Sequence, residues 1–302
     1  MCTEHTARVA RDRAATGAGF SRRTALVGGA AAAVTAALTG TARAEDRTPR
    51  ATGWGRRGLC DLTHPLTTSL PMFVPTEAPS RRTVVTIEQN GYYLQEWRLF
   101  EHTGTHVDAP GHFTAGGRLA PELRIDELVP PAVVIDISSR AADEPDTVVT
   151  IDDVRAHERS HGRIPDDAAV LMLSGWGARF GDPEAYRGAD AAGTLHLPGF
   201  GADTCECLLE RRRIRSLGVD TLSIDPGVST TFDTHLVLTG ADRYGLENLA
   251  HLDRLPPTGA TIVVGLIPFE EGSGGPARVF ASWRTRGRAL AAPSGRGRQV
   301  LG

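Results

Sequence analysis

Four side chains suited to metal chemistry fall within eleven residues of this chain. They are His102, His106, Asp108 and His112, and they account for three of the ten histidines in the sequence. Neutral imidazole and carboxylate are ligands for Zn²⁺ and Mn²⁺. Glycine and proline within the segment indicate an extended loop rather than a helix, so His106 and Asp108 point the same way, and His102 folds back across a glycine. A polar turn whose histidines only form hydrogen bonds is the alternative, but three histidines and an aspartate favour a metal site.

The same segment carries a family resemblance. HTGTHVDAPGHF, residues 102 to 113, resembles the H-x-G-T-H-x-D-x-P-x-H signature of the cyclase family, which includes bacterial kynurenine formamidases, isatin hydrolases and proteins named as polyketide cyclases. The resemblance extends from about Cys60 to about Trp283. It implies that His102, His106 and Asp108 are metal ligands and that His112 transfers protons.

A second pair of candidate ligands rests on the resemblance alone. His235 and Glu247 are twelve residues apart, a spacing that does not by itself predict a site. Their neighbours resemble the family's second metal-binding pair, in which the glutamate and the aspartate of the first loop can bridge two ions. The resemblance therefore implies a centre for one or two divalent ions, zinc or manganese, with His235 and Glu247 as further ligands.

Another segment matches the H-E-x-x-H zinc-protease pattern letter for letter. It runs from His157 to His161. That mechanism requires a helix packed in a core, whereas arginines at 155, 159 and 163 indicate a solvated helix. We predict that this match is accidental and that neither histidine binds metal.

The composition excludes several other functions. All 33 basic residues are arginine, so a P-loop lysine, a Schiff-base lysine and ordinary pyridoxal-phosphate chemistry are absent. No G-x-S-x-G segment marks a serine nucleophile. Three cysteines remain beyond residue 44, namely Cys60, Cys205 and Cys207, and they predict neither a disulfide framework nor a cysteine metal site.

The chain divides into four segments. Residues 1–44 resemble a twin-arginine export signal, with Arg22-Arg23, an alanine-rich run and an Ala-Arg-Ala cleavage site at 42–44. A transmembrane anchor is the weaker alternative because the run is short and only mildly apolar. Residues 45–58 are expected to be a flexible N-terminus of the mature protein, 59–284 a single metal-dependent hydrolase domain, and 285–302 a disordered tail.

These segments predict an exported protein that does not stay associated with the membrane. The leader carries a net charge of +4, so the remaining 258 residues carry −7. An acidic domain of this kind shows no basic footprint for nucleic acid.

The hydrophobic pattern predicts a single α/β domain. A hairpin is expected from two strands, 83–89 and 92–100, joined by a two-residue turn at Asn90-Gly91. Further predicted strands are 133–137, 170–173, 219–224 and 261–264, and a helix over 203–213 is predicted to begin with a capping box of Asp203 and Glu206. The resemblance implies the family's swivelling β/α fold, a mixed, barrel-like sheet flanked by helices, assembled at least as a dimer.

The favoured function is metal-assisted hydrolysis of an amide bond in a small, planar or aromatic molecule, an aryl formamide or a cyclic amide such as an isatin- or lactam-like ring. A metal-dependent cyclase or dehydratase acting on a polyketide-like substrate is the second interpretation, and a non-catalytic metal-binding homologue is the third. Tyr92, Tyr93, Trp97 and Phe100 are candidates to line the substrate pocket, with a place in the core as the alternative. Phe73 is a further candidate, because it stands where family formamidases carry a substrate-contacting Trp. The export signal disfavours kynurenine formamidase itself, because tryptophan breakdown is expected inside the cell.

Overall fold

A computed structural model describes residues 57–285 of the chain. The strands are β1 (Arg57–Asp61), β2 (Ser80–Val85), β3 (Leu94–Arg98), β4 (His106–Asp108), β5 (Pro131–Asp136), β6 (Val148–Val149), β7 (Ala169–Leu173), β8 (Gly199–Phe200), β9 (Ser216–Val219), β10 (Tyr244–Glu247), β11 (Ala260–Leu266) and β12 (Gly274–Arg284). The helices are α1 (Ile87–Asn90), α2 (Ser138–Asp143), α3 (Ile151–His161), α4 (Pro183–Arg187), α5 (Ala202–Arg212) and α6 (Asp233–Gly240). Short 3-10 turns lie at Pro75–Glu77, Pro110–His112, Ala120–Glu122, Trp176–Arg179 and Leu252–Arg254.

Seven strands close into a mixed barrel. The order is β12-β11-β5-β7-β9-β10-β4, and β4 pairs back onto β12. The run from β5 through β7 and β9 to β10 is parallel, while the pairs that involve β4, β11 and β12 are antiparallel. Strand β1 extends the sheet by pairing antiparallel with the C-terminal half of β12. The expected α/β fold with a mixed, barrel-like sheet is confirmed.

The parallel strands are buried on both faces, because one face lines the barrel and the other lies under helices. Val134 and Leu171 belong to the cluster inside the barrel. Their neighbours Val133 and Val170 belong to a second cluster, which also holds apolar residues of α3, α5 and α6. The nearly continuous apolar runs that predicted these two strands follow from this double burial.

Residues Ser80–Arg98 form a separate compact unit in which β2 and β3 pair antiparallel. The predicted hairpin is therefore present, but its predicted two-residue turn is wrong. The chain instead makes the short helix α1, and Gly91 ends it in the left-handed conformation with φ of 77°. A Gly after an Asn suits a helix end as well as a tight turn, since both need positive φ.

Three other predictions about the elements are corrected. The strand predicted at 219–224 ends at Val219, and the residues beyond it enter loops around the site. Helix α5 matches the predicted helix within one residue, but its N-cap is Gly201 and no side chain caps it, so the predicted capping box is wrong. Strand β1 begins at Arg57, two residues before the expected domain boundary.

The export signal and most of the N-terminal segment and tail lie outside residues 57–285. Within the described range, none of the helices has the length and apolar character needed to cross a bilayer. The three cysteines in that range are free thiols.

Candidate metal centre

Strand β4, which closes the barrel, carries two of the predicted ligands. Val107 points into the barrel interior, so His106 and Asp108 on either side of it project from the opposite face. In the antiparallel pairing of β4 with β10, Glu247 lies directly across from His106. Pairing of the strands thus brings together residues that are 141 positions apart in sequence.

Asp108 is the centre of the first group of ligands. Its Oδ1 lies 2.6 Å from Nδ1 of His102 and 3.2 Å from Nε2 of His106. Both His106 and Asp108 are buried. The potential ligand atoms of these three residues lie within 4.8 Å of one another, so together they can hold one ion.

The second group of ligands shares the same aspartate. Nε2 of His235 lies 3.2 Å from Oε1 of Glu247 and 3.6 Å from Oδ2 of Asp108, an oxygen that is buried without a hydrogen-bond partner. The other oxygen of Glu247, Oε2, lies 3.4 Å from Nε2 of His106. Each carboxylate therefore turns one oxygen to each group. Asp108 and Glu247 could thus each offer one oxygen to either group, and the buried, unpartnered Oδ2 of Asp108 suits a cation.

Asp225, which the sequence reasoning missed, orients His235. Its Oδ2 lies 2.5 Å from Nδ1 of His235, and its two oxygens accept hydrogen bonds from the backbone N–H groups of Thr234 and His235. A proton held on Nδ1 by this carboxylate leaves Nε2 free as a metal ligand. The only signal in the sequence was an aspartate ten residues before the histidine.

His106 is oriented by a backbone carbonyl. Its Nδ1 lies 2.8 Å from the oxygen of Gly104, which also accepts a hydrogen bond from Nδ2 of Asn248 at 3.0 Å. Asn248 is buried in the left-handed conformation, and its amide oxygen accepts from the hydroxyl of Tyr186. The carbonyl fixes the proton on Nδ1 and turns Nε2 of His106 towards Asp108 and Glu247.

The crowded carboxylates control the protonation of the buried histidines. Burial by itself lowers the pKa of His106, but the charge and hydrogen bond of Asp108, together with Glu247, raise it to about 9. For His235, too, burial lowers the pKa, and Asp108, Asp225 and Glu247 raise it well above its ordinary value. Without an ion, protons on these histidines therefore balance the two carboxylates, and a divalent ion replaces them when it binds.

His112 has the opposite electrostatic environment. Its ring is exposed to the cavity and stacks on that of His102, with centroids 3.8 Å apart. Desolvation and the neighbouring imidazoles lower its pKa to about 4, against a smaller opposing effect of Asp108. His112 is thus a neutral imidazole at pH 7, able to accept a proton beside the ligand groups.

A cavity of about 330 Å³ opens above the two groups of ligands. Its floor contains all six of the predicted site residues, and its walls are largely apolar. Phe73 and Phe100 line it as predicted, whereas Tyr92 and Tyr93 are exposed on the hairpin unit and Trp97 contacts Arg81 there. Other lining residues are Pro71, Met72, Val74, Glu77, Glu101, Gly104, Phe113, Leu222, Ser223, Phe232 and Asn248.

The H-E-x-x-H segment forms the C-terminal end of α3, and no third ligand lies beside it among the described residues. His157 is buried, and its ring lies 4.9 Å from that of the exposed His161. The guanidinium of Arg212 donates to both oxygens of Glu158, so this carboxylate is not free to act as a base. Among residues 57–285, the potential metal-binding groups include neither histidine.

Comparison with known proteins agrees with this geometry. Residues 60–226 match the family described as putative cyclase. The isatin hydrolase of Roseibium aggregatum is 34% identical over 199 residues, which are 63% of this chain and 75% of that protein. The kynurenine formamidase of Salinibacter ruber is 30% identical over 175 residues, 56% of this chain and 70% of that protein.

A solved structure, isatin hydrolase A from Ralstonia solanacearum, is similar over 77% of this chain and 94% of its own, with a TM-score of 0.73 and 33% identity. The relatives and the His/Asp/Glu cluster together indicate a divalent metal. The chain belongs to the Cyclase family and is a metal-dependent amide hydrolase that acts on carbon–nitrogen bonds other than peptide bonds.

Proposed function

We propose that this enzyme hydrolyses an aryl formamide or a cyclic aryl amide, such as an isatin- or lactam-like ring. The observation that carries the proposal is the pair of ligand groups sharing Asp108 at the floor of a cavity with aromatic walls. The names of the similar proteins, isatin hydrolase and kynurenine formamidase, support amides attached to or fused with an aromatic ring.

We propose that His102, His106 and Asp108 hold one ion and that Asp108, His235 and Glu247 hold a second, zinc or manganese. A divalent ion in such a site lowers the pKa of water that it binds and polarises a substrate carbonyl. Elemental analysis should find two equivalents per chain in the wild type and one in His235→Ala. A His235→Ala variant that retains both equivalents would contradict the two-ion assignment.

The chain's own residues provide the proton transfer. His112 is neutral at pH 7 and lies against His102, so it can take the proton of the attacking water and pass it to the leaving nitrogen. The ring stacking fixes its position relative to the ligands. Burial opposes the charge of Asp108, but the neighbouring imidazoles hold its pKa well below the usual range, so this carboxylate keeps its charge at the floor of the cavity.

A substrate screen tests the proposed reaction. Metal-loaded protein should hydrolyse isatin or N-formylkynurenine. Oxindole, a simple lactam, lacks the ketone that activates the amide of isatin, so its turnover tests whether that activation is needed. His112→Ala, which retains all five proposed ligands, is the control for hydrolysis by metal contamination. Absence of turnover on every aryl formamide and cyclic aryl amide tested, with the metal sites filled, would refute the proposal.

We further propose that the protein is exported through the twin-arginine route and that it works as a homodimer. The basis for export is the arginine pair and cleavage site in residues 1–44. Mass spectrometry of protein secreted by its native host should show a chain that begins near Glu45, and analytical ultracentrifugation should give twice the monomer mass. An intact N-terminus in the cytosol would refute export.

A further inference from the structure

Three phenylalanine rings line one side of the cavity. The ring of Phe232 lies 6.1 Å from that of Phe73 and 5.4 Å from that of Phe113, measured between centroids. Phe113 in turn lies 4.5 Å from His235. The row therefore runs from a ring that is 38% exposed, Phe73, to one that touches a proposed ligand. Faces of aromatic rings attract cations as well as apolar groups.

Phe232 is held there in an unusual backbone conformation. Its φ is 54°, in the left-handed region that bulky residues rarely adopt, immediately before α6. Such strain persists where the surrounding structure imposes it, and it is common at ligand sites.

The charged residues of the cavity walls are all acidic. Glu77, in the Pro75–Glu77 turn, and Glu101, before the first ligand loop, line the cavity above the ligands. Glu101 accepts hydrogen bonds from the backbone and hydroxyl of Ser273, and its Oε1 also lies 3.5 Å from Nε2 of His102. Among residues 57–285, no arginine lines this cavity, and the chain has no lysine.

The carboxylates of Asp108 and Glu247 at the floor would offset two of the positive charges that divalent ions would bring there. A substrate group that points away from the floor meets aromatic faces and two carboxylates.

We propose that this cavity selects aryl amides whose ring bears a positive charge, with Phe73, Phe113, Phe232 and Glu77 as the residues that recognise the cation. This inference rests on the proposed amide hydrolysis for the position of the substrate. A cation over aromatic rings and near a carboxylate gains about fivefold in affinity, the factor that corresponds to about 1 kcal/mol.

Matched substrates test the selectivity. The pair is 4-(trimethylammonio)formanilide and 4-tert-butylformanilide, which have nearly the same shape but differ in charge and in the electron withdrawal that activates the amide. The ratio of their kcat/KM values is therefore compared between proteins, and we expect it to be about fivefold higher for the wild type than for Glu77→Gln. Glu210→Gln, which changes an exposed carboxylate on α5 outside the cavity, should keep the wild-type ratio. A ratio that is the same for the wild type and Glu77→Gln would overturn the proposal.

A binding measurement separates this proposal from the proposed reaction. Phenyltrimethylammonium has no amide, so its affinity for metal-loaded protein does not depend on turnover. For Glu77→Gln, calorimetry should give a Kd about fivefold higher than that of the wild type. Glu210→Gln should keep the wild-type Kd. Equal Kd values in all three proteins would overturn the cation site, whereas failure of every formanilide to react, with this difference in Kd intact, would overturn only the proposed function.

Discussion

Replacement of Asp225 by asparagine distinguishes two roles of this carboxylate, the orientation of His235 and the stabilisation of helix α6, which carries it. In the wild type, Asp225 accepts a short hydrogen bond from Nδ1 of His235 and also accepts backbone N–H groups at the start of α6. Asparagine keeps an oxygen for the N–H of Thr234 but loses the negative charge that holds the imidazole proton. Loss of such an outer partner costs about 10- to 100-fold in metal affinity, or about 1.4–2.7 kcal/mol.

The assay is a calorimetric titration of metal-free protein at constant pH. We expect Asp225→Asn to bind one equivalent as the wild type does and the second about 10- to 100-fold more weakly. Asp225→Ala is the matched variant, because it also leaves two buried N–H groups without an acceptor and should lower the free energy of unfolding of metal-free protein by about 1–3 kcal/mol more. If Asp225→Asn binds both equivalents with wild-type affinity, the carboxylate serves the helix alone and the reasoning is refuted.

Four further outcomes follow from the site and its surroundings. Replacement of both His157 and His161 by alanine should leave metal content and activity within about twofold of wild type. Loss of metal from this variant would show that α3, rather than the loop from His102 to His112, holds the ion. His106→Ala should lose metal, whereas His112→Ala should keep most of it and lower kcat by ~10²–10⁴; the opposite pattern would exchange their roles. Because the pKa of His106 is about 9 without metal, metal affinity should rise about tenfold per pH unit from pH 7 and level off above about 9, and a flat profile would contradict that protonation. Asn248→Gly, which relieves the left-handed backbone while removing the amide, should weaken metal binding despite normal folding, and unchanged affinity would show that the carbonyl of Gly104 orients His106 unaided.

The first ligand loop was predictable from residue types because its members are close in sequence. His102, His106, Asp108 and His112 span eleven residues, and the Gly/Pro content excluded a helix. The structure brings all of them to one cavity. A local cluster of this kind needs little knowledge of the fold, since ten residues of chain keep its members within ~35 Å of one another even when fully extended.

His235 and Glu247 needed the family resemblance, because only strand pairing brings them to the loop. Glu247 meets His106 through the register of β10 against β4, which no spacing within the sequence specifies. Asp225 was missed for the same reason. Its contact with His235 depends on the path of the loop after β9, the region where a continued strand was predicted.

The hairpin turn shows a different limit. Asn90-Gly91 satisfies both a two-residue turn and a helix end, and local backbone preference does not choose between them. The barrel was predicted as a class, but its order of strands was not, since the order is decided by long-range packing of apolar faces.

The position of the ligands on β4 links the metal to the integrity of the barrel. This strand has three residues, and its pairing with β10 on one side and β12 on the other closes the barrel. Ions held between Asp108 on β4 and Glu247 on β10 would clamp that junction, adding about 4 kcal/mol to its closure when free metal is a thousand times Kd. After chelation, two buried carboxylates face each other across the same junction with only histidine protons between them. Amide hydrogen exchange after metal removal should therefore begin along β4, the shortest strand of the barrel, because loss of the ion weakens the pairing that closes the barrel.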